Sequence, residues 1–119
     1  VAEWTLHSDI THNRLLMKTI DYALHQAGWS LDDVDAFAVT TGPGSFTGLR
    51  IGLTTVKTLA WATGKPIVGV PSLDALALPL AFASIPVCAV LDARRKEIFF
   101  ALFEPDGLGN MRRPGPYRV

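Results

Sequence analysis

The chain is poor in the side chains that staple, charge or anchor a small protein. It has one cysteine, Cys88, so an internal disulfide is excluded, and the apolar run Pro86-Val87-Cys88-Ala89-Val90-Leu91 predicts a buried core thiol. Its three histidines, His7, His12 and His25, lie too far apart for a helical i, i+4 metal pair and read as surface or capping residues. Charge of either sign is not in excess: 11 Lys and Arg stand against 11 Asp and Glu. No whole-domain field therefore draws the chain onto phosphate backbones, and any nucleic-acid contact is expected to rest on a partner. Apolar runs are short and interrupted by Pro and Gly, which excludes a membrane-spanning helix. The polar residues in Trp4-Thr5-Leu6-His7-Ser8-Asp9 break any secretory apolar region, so a cytoplasmic location is expected.

What is present suits one packed core: 49% hydrophobic residues against 18% charged. Val1 to Leu6 reads as a short edge strand, and Ser8-Asp9-Ile10-Thr11 offers caps for a helix of Thr11 to Ala27 with Leu16, Ile20, Ala23 and Leu24 at helical spacing. Gly28 ends it, and Ser30-Leu31-Asp32-Asp33 caps a further short turn. The run Ala36 to Thr40 reads as a buried strand. A glycine loop follows, then a helix of Phe46 to Ala62 with Leu49, Leu53, Val56, Leu59 and Ala60 as its stripe. Pro66 to Val70 is the next strand, and Ser72 caps a helix that Pro79 stops. Beyond Pro86 the alternation ends: Val87 to Leu91, a turn over Asp92 to Lys96, and Ile98 to Phe103 read as an antiparallel hairpin. The chain begins inside an expected strand and closes on Arg112-Arg113-Pro114-Gly115-Pro116, so both ends are expected to be cut.

The loop Thr41-Gly42-Pro43-Gly44-Ser45-Phe46-Thr47-Gly48 joins a strand to a helix, the way phosphate sites are built from bare backbone N–H groups and a helix N-terminus. Gly42, Gly44 and Ser45 are candidate phosphate contacts, joined by Asp92 at the end of a strand. Neither standard fingerprint is met: Leu49 and Arg50 follow Gly48 where a Walker loop needs Lys, and the third glycine comes one residue late for a dinucleotide loop. The structural alternative keeps the glycines for the turn and uses Gly48 and Gly52 as a groove on the helix for close packing. Asp92 has its own alternative as a turn residue bonding local backbone. Arg50, a cation opposed by the helix dipole, calls for a carboxylate partner within the chain or across an interface, and Arg94-Arg95-Lys96 reads as a solvated turn, with contact to tRNA or a partner as its alternative.

The segments Thr41-Gly42-Pro43-Gly44-Ser45-Phe46-Thr47-Gly48-Leu49-Arg50-Ile51-Gly52, Lys57-Thr58-Leu59-Ala60, Gly69-Val70-Pro71-Ser72-Leu73 and Leu91-Asp92-Ala93-Arg94-Arg95-Lys96-Glu97-Ile98-Phe99 resemble, in order, the TsaB (YeaZ) family. That resemblance implies an α/β RNase H-like, actin-like ATPase (ASKHA) fold, here partial. Residues 1–84 would be the first lobe without its opening strands, and residues 85–119 the start of the second. It further implies a non-catalytic scaffold that binds a TsaD-type catalytic subunit in threonylcarbamoyladenosine modification of tRNA. A TsaE-type ATPase belongs to that complex, a homodimer is compatible with it, and tRNA is met indirectly. ATP or ADP and metal are expected on the catalytic partner and none on this chain. TsaD carries two metal-binding histidines where this sequence has Ser72 and Leu76, and leucine cannot bind a metal. The expected partner surface is Leu16, Ile20, Leu24, Gly48, Leu49, Arg50, Gly52, Thr55 and Val56, with no catalytic residue. The competing hypothesis is an enzyme in its own right, a nucleotide hydrolase or a metallopeptidase-like protein.

Overall fold

A computed structural model describes residues 2–5, 15–94 and 96–119. The elements run α1 (Leu16–Gln26), a 3-10 turn (Leu31–Asp33), β1 (Phe37–Gly42), α2 (Phe46–Thr63), β2 (Ile67–Pro71), α3 (Ser72–Ala77), a second 3-10 turn (Leu78–Leu80), β3 (Val87–Arg94), β4 (Glu97–Pro105) and β5 (Met111–Arg112). β1 and β2 are neighbours in a two-stranded sheet, and β3, β4 and β5 form a three-stranded one in that order. The residues fall into two compact units. One comprises Val1–Val39 and Arg50–Val68, the other Thr40–Leu49 and Gly69–Val119.

In the first unit the C-terminal end of α1 is well made. The Gly28 N–H bonds the His25 carbonyl and the Trp29 N–H reaches Leu24, the paired closure that needs Gly28 at its φ of 72°. Ser30 opens the short turn as expected: its backbone N–H and its hydroxyl both donate to the Asp33 carboxylate, each at 2.7 Å. Those two bonds hold the Asp33 carboxyl below its ordinary pKa. Lys65, just past α2, donates its ammonium to the Leu31 and Asp32 carbonyls at 2.7 Å. Leu59 and Ala60 are the buried residues here among the described residues.

Three expectations change in this unit. Residues 2–5 carry no strand, and Val1 and Leu6 lie outside the described residues. α1 begins after Leu15 with no side-chain cap, while the expected caps Ser8 to Thr11 also lie outside them. β1 is not buried: its side chains alternate between half-buried and exposed, because a strand with one neighbour in a two-stranded sheet leaves the alternate face to water.

The second unit holds the better core. Leu73, Ala77, Ala89, Ala101 and Phe103 are buried together, with Val87, Leu91, Phe99, Met111 and Tyr117 packed around them. The helix α3 supplies Leu73 and Ala77, four apart on one face, and the hairpin supplies the rest through strand alternation. β3 pairs antiparallel with β4 from Val87 opposite Phe103 to Asp92 opposite Ile98, then shifts register so that Arg94 faces Glu97. The hairpin is thus tighter than expected: Asp92 stands in the strand instead of the turn, and Lys96 takes the left-handed conformation, φ 67°, that closes it. Cys88 is exposed, not buried, because Ala89 takes the inward position and alternation turns its neighbour out. Ser72 is the first residue of α3, with Pro71 in the cap position. The basic, Pro-rich tail returns to the sheet as β5, and Arg118 bridges to Phe100.

Candidate functional site

The glycine loop turns sharply at Gly42, where φ is 108° and a Cβ would stand 3.2 Å from Leu49 Cδ1. Glycine therefore lets the leucine of α2 close over the loop that precedes it. The Ser45 hydroxyl accepts the Gly48 N–H at 3.3 Å and the Ser45 carbonyl accepts the Leu49 N–H at 2.8 Å, so Ser45 is the N-cap of α2. Beside it lies an open cleft of ≈ 680 Å³ lined by Gly44, Ser45, Phe46, Thr47, Leu91, Asp92, Ala93 and Phe99. Three of the four expected phosphate-contact residues, Gly44, Ser45 and Asp92, share that lining; Gly42 does not.

Reading the sequence missed Phe46, Thr47 and Phe99 as walls of this cleft. The alternation of the hairpin could have found Phe99, which stands opposite Leu91 in the ladder. Chemically the cleft offers a helix N-terminus and one carboxylate. The first attracts an anion. Among the described residues no group of three or more His, Cys, Asp or Glu is placed to hold a metal ion. Leu76, at the second of the two positions singled out for metal, is exposed.

The other expected site residues lie on the helices. Leu16, Ile20 and Leu24 are half-buried on α1, which has no fully buried residue. Ala2, Ala23, Leu24, Ala27 and Trp29 line an apolar cleft of ≈ 340 Å³ along that helix. On α2, Arg50 and Gly48 are exposed while Leu49, Gly52, Thr55 and Val56 are half-buried. A Cβ at Gly52 would meet Val39 Cγ2 of β1 at 3.8 Å, so that position of the expected groove faces the sheet. Gly48, which a Cβ would bring to 3.4 Å from Ser45 Cβ, lies over the cap of its own helix.

A strand, glycine loop and helix followed by a second sheet define an α/β protein of the RNase H-like, actin-like class. The chain belongs to the family described as "TsaD: tRNA N6-adenosine threonylcarbamoyltransferase", which matches residues 7–108. It is 33% identical over 104 residues to the tRNA threonylcarbamoyladenosine biosynthesis protein TsaB of Bacillus subtilis, covering 87% of this chain and 45% of that protein. It is 37% identical over 94 residues to TsaB of Haemophilus influenzae, covering 76% and 39%. The solved YeaZ from Pseudomonas aeruginosa superposes with a TM-score of 0.81 at 34% identity, over 92% of this chain and 52% of that one. Within the family these relatives bear out the TsaB/YeaZ resemblance carried by the glycine string. The chain spans about half the length of the solved relative and less than half of the two curated ones. No helix among the described residues is long and apolar enough to cross a membrane.

Proposed function

We propose that this chain serves threonylcarbamoyladenosine formation in tRNA as a non-catalytic scaffold that binds a TsaD-type catalytic subunit through α1 and α2. The observation that carries the reading is the unfinished apolar face of α1. Leu16, Ile20, Ala23 and Leu24 stand at helical spacing, yet none is fully buried and the cleft beside them is apolar. An amphipathic helix gains its stability by covering such a face, and a partner helix covers it well. A TsaE-type ATPase in the same assembly, a second copy of this chain on the same surface, and a cytoplasmic setting complete the proposal.

Gly44, Ser45 and Asp92 on one cleft favour a second reading, binding of a phosphate-bearing nucleotide. The scaffold reading is the stronger because the Ser45 hydroxyl already caps α2 and Gly42 stands outside the cleft. Two measurements separate them. Ile20→Glu and Leu24→Glu should weaken association with a TsaD-type subunit by about tenfold or more, about 1.4 kcal/mol, with the helical circular dichroism retained. Unchanged association in folded variants refutes the interface. Calorimetric ATP binding by the chain alone would establish the second reading instead.

A further inference from the structure

We propose that residues 111–118 form a latched strap over the outer edge of β4, held shut by the Tyr117 hydroxyl on Asp74 and able to lift while the β3–β4 hairpin stays folded. The two edges of β4 are covered very differently. Towards β3 the ladder is continuous from Val87 opposite Phe103 to Asp92 opposite Ile98. Towards the strap it consists of two separate pieces, Glu104 and Pro105 opposite Arg112 and Met111, and the single bridge of Phe100 with Arg118.

Between those pieces the strap has slack. Residues 101–103 of β4 are spanned by residues 113–117 of the strap, so the strap bows outward. Phe100 and Arg118 exchange both backbone bonds, each at 3.0 Å, which points the Phe100 N–H and C=O at the strap. The two-residue period of a strand then points those of Leu102 the same way. Opposite them stand Pro114 and Pro116, which have no N–H to give. A cleft of ≈ 350 Å³, lined by Phe100, Leu102, Pro114, Gly115, Pro116 and Arg118 among others, opens there.

With so little ladder, side chains hold the strap. The Tyr117 hydroxyl donates to the Asp74 carboxylate of α3, and the Arg113 guanidinium lies 3.7 Å above the Tyr117 ring. Burial and the Asp74 carboxylate both push the Tyr117 hydroxyl above its ordinary pKa, so the proton the latch needs stays in place. A lifted strap leaves the N–H and C=O groups of Phe100, Leu102 and Glu104 as an open antiparallel edge, which is the arrangement that accepts an added strand.

Amide hydrogen exchange resolved by residue tests this on the chain and on Tyr117→Phe and Asp74→Ala. In the unaltered chain the Phe100 and Arg118 amides should exchange faster than those of Ala101 and Phe103, which face β3. Either substitution should speed Phe100 and Arg118 by about tenfold and leave Ala101 and Phe103 unchanged. Equal exchange of Phe100 and Ala101 in the unaltered chain overturns the independent strap, even if a variant does not fold. Unaltered Phe100 exchange in folded variants overturns the latch.

Discussion

The two compact units were built from similar sequence patterns and reached different degrees of closure. In the second unit Leu73 and Phe103 are 0% and 1% exposed, whereas the best-covered of the described residues of the first, Leu59 and Ala60, keep 8% and 7%. The stripe of α1 is as regular as the face of α3, but α3 lies on a hairpin while α1 has no fully buried residue. Amphipathic spacing thus sets which face of a helix seeks cover; it does not supply the cover. The unit whose apolar face is left half open is the one proposed to meet a partner, and the closed unit carries the glycine-loop cleft.

The sharpest way to break this comparison is to remove one large side chain from each unit. Phe103→Ala should cost about 3–5 kcal/mol and Leu59→Ala about 2 kcal/mol, the lower end for a large aliphatic residue, read by urea unfolding. Equal losses would mean that the first unit is as well packed as the second.

A smaller effect is expected where the backbone of β2 approaches β1. A Cβ at Gly69 would lie 2.7 Å from Thr41 Cγ2, so Gly69→Ala should cost about 1–3 kcal/mol by overpacking. Adding Thr41→Ser, which removes that methyl, should restore most of the loss. No recovery in the double variant would place the strain elsewhere.

The smallest effect concerns pH, with one exposed carboxyl in each unit. Asp33 is held below its ordinary pKa chiefly by the Ser30 backbone N–H, and Asp106 chiefly by the Asn110 side-chain amide, then by the N–H groups of Leu108 and Asn110. A carboxyl depressed in the folded state contributes stability that is present above its unfolded value of about 3.9 and lost as pH falls through the folded value. Both contributions should therefore fade only in acid, and Asp33→Asn and Asp106→Asn should each remove part of the acid dependence of thermal unfolding. A variant whose melting temperature falls with acid as the unaltered chain's does would show that its carboxyl carries no such linkage.

Much of the fold was legible because local rules governed it. Ser30 and Asp33 cap a turn by their own chemistry, Gly28 closes α1, and the stripe from Leu49 to Ala60 places α2 correctly. Cys88 was misread because an apolar run does not say which alternate residues face in, and the hairpin register chose Ala89. Asp92 was read both at a strand end and as the first residue of the turn, because polar residues crowd there, and the ladder opposite Ile98 keeps it in the strand. Gly52 was placed with Gly48 on a groove for close packing, and helical spacing alone did not say that Val39 of β1 is its neighbour there.

By itself the sequence determined the elements, their order and the family, since capping, helical spacing and the glycine string act over a few residues and need no distant contact. Only tertiary structure decided the sides and the company. It set which strand face is inward, brought Gly44 and Ser45 to one cleft with Asp92, and laid Tyr117 against Asp74. Those outcomes depend on register and on contacts between residues far apart in the chain, where a shift of one position in a strand exchanges every inward side chain for its neighbour.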